Sequence, residues 1–82
     1  MGNCISDRKL KLVQNGITYY ELPLYINKNV EKTYSILSSK YPNHVITSTT
    51  NNDIALNKQM KKRIYISYQI ESQLVTRVVL LP

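Results

Sequence analysis

The residues with the clearest chemical reading are the first six, Met1-Gly2-Asn3-Cys4-Ile5-Ser6. They fit the pattern for N-terminal myristoylation, a glycine after the initiator methionine with a hydroxyl residue further along. Removal of Met1 frees the α-amino group of Gly2, and glycine has no side chain to block a narrow acceptor channel. Asn3 is small and uncharged, and Ser6 supplies the hydroxyl. Cys4 adds a thiol that a membrane-resident acyltransferase could reach. One myristoyl chain holds a protein to a bilayer only marginally, with a constant of about 10⁴ M⁻¹, so stable anchoring needs a second signal. Two candidates follow in the chain: a palmitoyl group on Cys4, and the basic run Arg8, Lys9 and Lys11. A basic residue near an anionic leaflet contributes about 1 kcal/mol.

The hexapeptide resembles the start of dually acylated eukaryotic signalling proteins. It also resembles small N-myristoylated viral membrane-associated proteins of accessory or matrix type, among them a short geminiviral protein that begins MGN-x-IS. The resemblance covers residues 1–6 and implies an address rather than a fold. Beyond them the chain lacks the Ser, Pro and Arg richness of that geminiviral protein. It also lacks the zinc-ligand cysteines of the RING-bearing arenaviral matrix protein.

Other chemistries find less support. His44 is the only imidazole and Cys4 the only thiol, which falls short of a tetrahedral zinc site and excludes an internal disulfide framework. Nucleophilic catalysis needs a base held beside the nucleophile. His44 follows a Pro-Asn turn with no such partner in view, and reads as the start of a strand. Five scattered acids suit helix dipoles and solvation better than paired acid–base work. No glycine-rich phosphate loop is present. A second basic cluster, Lys58, Lys61, Lys62 and Arg63, precedes Tyr65 and Tyr68. It suits a solvated loop, membrane phosphates, or nucleic acid with tyrosine stacking. Tyr68 alternates with apolar positions, which draws it toward the core.

Eighty-two residues must position these groups, enough for one small domain with a modest core. Hydrophobic residues are 43% and charged residues 20%, as in a globular chain, and the net charge of +6 favours acidic partners. No segment approaches the roughly 18 apolar residues of a membrane span, and no apolar signal region follows Met1. The bare polypeptide therefore reads as soluble and cytosolic. Seven Tyr with no Phe or Trp, among abundant Asn, Lys and Ile, suggest an A/T-rich coding sequence. N-myristoylation in turn implies a eukaryotic or viral setting.

Residues 1–8 read as a flexible acylated anchor and 9–82 as a single domain. Leu10 and Leu12 alternate with Lys9 and Lys11, the pattern of a half-buried strand. Asn15-Gly16 is a strong hairpin signal. Ile17–Ile26 reads as a second strand, with Pro23 marking an edge or a bulge. Asn27 or Asn29 caps a helix, and Val30, Tyr34, Leu37 and Tyr41 share one helical face that stops before Pro42. His44–Thr50 is β-prone, Asn51-Asn52-Asp53 is a turn, and residues 54–60 fit either a short helix or a loop. Ile64, Ile66, Tyr68 and Ile70 share one face of a strand. Glu71-Ser72-Gln73 turns into a final apolar strand, Leu74–Leu81, expected inside the sheet.

The order is β-β-α-β-β-β. It predicts an α+β two-layer domain with a mostly antiparallel sheet of four to five strands and one helix, similar to a β-grasp. The functional expectation is a non-enzymatic peripheral membrane protein with no cofactor, on the cytoplasmic face of a host cell membrane. Its partners are an anionic leaflet and a host or viral protein, or further copies of itself. The alternative is a small basic nucleic-acid-binding or silencing-suppressor protein.

Overall fold

Asn15 and Gly16 both adopt positive φ, 54° and 78°, the left-handed backbone that a two-residue hairpin turn requires. They join β1 (Leu10–Gln14) to β2 (Ile17–Glu21) with Gln14 opposite Ile17 and Leu10 opposite Glu21. The computed structural model describes residues 9–51, 54, 56 and 61–82. After β2 come a 3₁₀ turn (Pro23–Tyr25), α1 (Val30–Lys40), β3 (Val45–Thr49), β4 (Arg63–Tyr68) and β5 (Val75–Leu81). The expected order β-β-α-β-β-β is the observed one.

The five strands form one sheet in the order β1-β2-β5-β4-β3. Three pairs are antiparallel, and β3 and β4 are parallel. The C-terminal strand lies at the centre, as its apolar run predicts. The parallel pair sits at one edge, unlike a β-grasp, whose parallel pair is central.

Both faces of this sheet are buried at β5. Val78 and Leu80 meet Ile64, Ile66, Leu22, Tyr25, Val30 and Leu37 beneath the helix. Val79 and Leu81 meet Tyr19 on the opposite side, where Ile17, Tyr65, Ile54 and Leu56 pack against them. A strand buried on both faces reads as a continuous apolar run rather than an alternating one, which accounts for Val78-Val79-Leu80-Leu81. Parallel neighbours need a crossover connection. The one from β3 to β4 spans residues 50–62, and its Ile54 and Leu56 help cover the second face. Val75 shares the helix side with Val78 because the register slips by one at Ser67/Tyr68, leaving Thr76 as the extra residue.

Asn29 caps the helix: its side-chain oxygen accepts from the backbone N–H of Glu31 (2.9 Å) and Lys32 (3.1 Å). These are two of the amides a helix start leaves unpaired. Glu31 in the first turn and Lys40 in the last complement the dipole. The buried face is Val30, Thr33 and Leu37, whereas Tyr34 is 45% exposed. At 3.6 residues per turn Thr33 and Tyr34 flank the Val30–Leu37 line on opposite sides. The helix is rolled toward the smaller residue, whose hydroxyl donates to the Asn29 carbonyl at 2.9 Å.

Three strand expectations are corrected. The second strand ends at Glu21, not Ile26, because Pro23 has no amide to continue the ladder and starts the 3₁₀ turn instead. Leu22 makes the last sheet-like bond, its N–H donating to the Val78 carbonyl at 3.1 Å. Ile70 lies outside β4 and is exposed, since a turn closed by Gln69 N–H to Leu74 O (3.0 Å) takes over after Tyr68. β1 is exposed along its whole length rather than half-buried. Leu10 and Leu12 face the side of the second cluster, opposite Glu21 and Tyr19, but both remain exposed.

Candidate functional site

Tyr41 ends α1, its N–H donating to the Leu37 carbonyl at 2.8 Å. Pro42 and Asn43 turn the chain back, and the His44 N–H donates to the Tyr41 carbonyl at 3.1 Å. The two rings meet edge to face, 5.2 Å between centroids. Lys9, just before β1, carries its ammonium 5.6 Å above the Tyr41 ring, within cation–π range.

Lys62 reaches the same place from the other basic cluster. It takes a positive φ of 53° at the start of β4. Its N–H donates to the Pro82 carbonyl (3.2 Å), and its carbonyl accepts from the N–H of Val45 (2.9 Å), the residue after His44. The imidazole registers this neighbourhood. Its pKa is pushed below the ordinary 6.5, first by burial and next by the Lys62 charge, with Lys9 adding a little. A backbone hydrogen bond with Leu81 opposes these. Nε2 of His44 is buried and has no hydrogen-bond partner among the described residues. The two basic clusters, far apart in sequence, thus act on one imidazole at one end of the sheet.

Lys11 and Lys61 are exposed near this end. Arg63 is exposed too, but it alternates with buried Ile64 and so belongs to the opposite face of the sheet. Gly2, Cys4, Ser6 and Arg8 of the expected anchor, and Lys58 of the second cluster, lie outside the described residues. Tyr65 packs against Tyr19, Val79 and Leu81, and Tyr68 packs against the helix-side core.

Two features escape a reading of the sequence by clusters. One is the Tyr41–His44 pair, which sits where Lys9 and Lys62 converge. The other is a row of lysines bordering an open groove between the 3₁₀ turn and α1, Lys28, Lys32 and Lys40. Lys32 and Lys40 stand four residues either side of Ile36 on one row of α1, and Lys28 lies just before the helix.

No helix among the described residues is long and apolar enough to cross a membrane. The sequence matches no protein-family model and no curated protein.

Proposed function

We propose that this chain is a non-enzymatic peripheral membrane protein. Gly2 carries myristate, Cys4 offers a second acylation point, and the end of the domain formed by Lys9, Tyr41, His44 and Lys62 faces an anionic leaflet. The observation that supports the reading most is the convergence of Lys9 and Lys62 on His44. Lys9 directly follows the anchor segment in sequence. A lipid on that segment therefore brings both basic clusters to the bilayer together, supplying the electrostatic half of a two-signal anchor. The hexapeptide and the small, Tyr- and Asn-rich chain suit a viral accessory or matrix-type interaction module, with a host or viral protein, or a second copy, as its partner. Nucleic-acid binding is less well supported, because Tyr65 and Tyr68, the candidate stacking platforms, are each half-buried against a core cluster.

The test is flotation with phosphatidylserine vesicles, using protein acylated in eukaryotic cells. Wild type is expected to float, and Gly2→Ala to remain in the dense fractions. Lys9→Glu with Lys62→Glu is expected to weaken flotation and to leave neutral vesicles unaffected. Gly2→Ala protein that floats as well as wild type refutes the anchor. Unchanged flotation of the lysine double variant refutes the basic face. RNA retention that depends on Lys61 and Lys62, with no flotation, favours the alternative.

A further inference from the structure

An apolar depression on the described surface is lined by none of Lys9, Tyr41, His44 and Lys62. It runs between the 3₁₀ turn and the outer side of α1 and encloses about 540 Å³, within the range of small-molecule sites. Leu24, Tyr25 and Ile36 supply its apolar wall, and Lys28, Lys32 and Lys40 border it. Leu24 and Ile36 are both more than 40% exposed, so the wall is open to a ligand. No carboxylate is among the residues that line it. The Lys28–Lys32 end lies beside the N-terminus of α1, whose dipole adds positive potential.

Local chemistry explains why the groove exists. Pro23 turns the chain out of the sheet, and the 3₁₀ turn sends Tyr25 into the core while Leu24 points outward. Asn27 reverses the chain with φ of 69°, and α1 then returns alongside the turn. Ile36 lies on the flank of the helix away from the sheet, where solvation favours a polar residue. Lys32 and Lys40 stand one row before and after it. An apolar wall framed by cations and lacking acids matches one ligand chemistry: an alkyl chain ending in a negative charge. A neutral lipid uses the wall but not the lysines, and a multivalent phosphate alone uses the lysines but not the wall.

We propose that this groove binds a single-chain anionic amphiphile, a free fatty acid. The alkyl chain lies against Leu24 and Ile36, and the headgroup faces Lys28 and Lys32. The assignment goes beyond membrane anchoring and does not depend on it, since the residues involved are neither in the anchor nor in the Lys9–His44–Lys62 site.

The experiment titrates unacylated full-length protein with myristate below its micelle threshold, following backbone amide shifts by NMR. Saturable shifts are expected at Leu24, Thr33, Ile36 and Lys40. Myristyl alcohol, the neutral counterpart, is expected to bind about tenfold more weakly, the loss of one charge-assisted contact. Ile36→Asp puts a like charge in the wall and is expected to abolish the shifts. Its surface position keeps the domain folded, which the dispersed spectrum verifies. Lys28→Gln with Lys32→Gln is expected to bring myristate down to the level of the alcohol. Absence of saturable shifts in wild type overturns the proposal. So does equal binding of acid and alcohol, or full binding by Ile36→Asp. A last arm uses acylated protein: if its groove resonances are already shifted and no added myristate enters, the occupant is the chain's own acyl group and the free-amphiphile assignment falls.

Discussion

β1 and β5 carry similar side chains to opposite ends of the burial scale. β1 reads Leu-Lys-Leu-Val-Gln and every residue is exposed, whereas β5 reads Val-Thr-Arg-Val-Val-Leu-Leu and five of its seven residues are buried. Position in the sheet makes the difference. β5 is hydrogen-bonded on both sides, beneath α1 on one face and Ile54 and Leu56 on the other. β1 has one neighbour, and among the described residues no element is layered on it. Apolar residues in a strand therefore do not by themselves report burial; the number of elements stacked on them does. Lys9 and Lys11 beside Leu10 and Leu12 serve as the positive charges that discourage an open edge from pairing with another chain.

The sharpest way to break this contrast is truncation. Leu81→Ala removes a side chain that is 1% exposed and is expected to lower unfolding free energy by about 2–5 kcal/mol. The urea midpoint measures it. Leu12→Ala on β1 is expected to stay within about 0.5 kcal/mol of wild type, as surface changes do. Similar losses for the two would mean that β1 is covered by something outside the described residues.

A smaller effect separates the helix from both strands. Asn29→Ala removes the acceptor for two amides and is expected to cost about 1 kcal/mol. Asn29→Asp is expected to recover most of it, because a carboxylate at that position also meets the helix dipole. Thermal unfolding followed by circular dichroism distinguishes the two. The same substitution at Asn27 is expected to behave differently, since Asn27 sits at positive φ and caps nothing.

How far the sequence discloses the molecule follows the same physics. Local signals are dependable where one residue's chemistry settles the backbone: Asn15-Gly16 for the hairpin, Asn29 for the helix start, Pro42 for its end. Element order was legible for that reason, and so was the central place of β5, whose apolar run fits no half-exposed strand. Strand order was not legible, because nothing in the side chains of β3 says that it pairs in parallel with β4. The burial of Ile54 and Leu56 depends on that crossover. The candidate site divides along the same line. Each basic cluster is plain in the sequence, but their meeting at His44 is a property of the fold, and the spacing of Tyr41 says only that it shares the helical face.

His44 offers a way to read that meeting directly. Its pKa is held below 6.5 by burial and then by Lys62, so the unfolded chain takes up a proton before the folded one as pH falls. Folding stability is therefore complete above the unfolded value and declines as pH drops from about 6.5 toward the lower folded value. His44→Gln is expected to flatten this part of the profile, measured as urea midpoints across pH 5–7. An anionic bilayer against Lys9 and Lys62 offsets the positive field that keeps the imidazole neutral. The His44 ring resonances are then expected to titrate at higher pH with phosphatidylserine vesicles than with phosphatidylcholine vesicles. A titration unmoved by the anionic lipid would place the bilayer on another face.

The smallest expected effect lies at the open edge. Val13 is 65% exposed on β1 and shares its face with Lys11, two residues before it. Val13→Lys is expected to shift the urea midpoint by no more than about 0.5 kcal/mol in equivalent stability. Its consequence should appear in association, because a third lysine on the edge adds to the repulsion between approaching copies. Sedimentation at rising concentration reads this out. If wild type self-associates and Val13→Lys does not, β1 is a pairing edge kept in check by Lys9 and Lys11. If neither associates, the two native lysines already suffice, and exposure of apolar residues at this edge carries no assembly role. Amide exchange adds the complementary measurement. The β1 amides facing away from β2 should exchange orders of magnitude faster than those of β5, whose opening requires global unfolding.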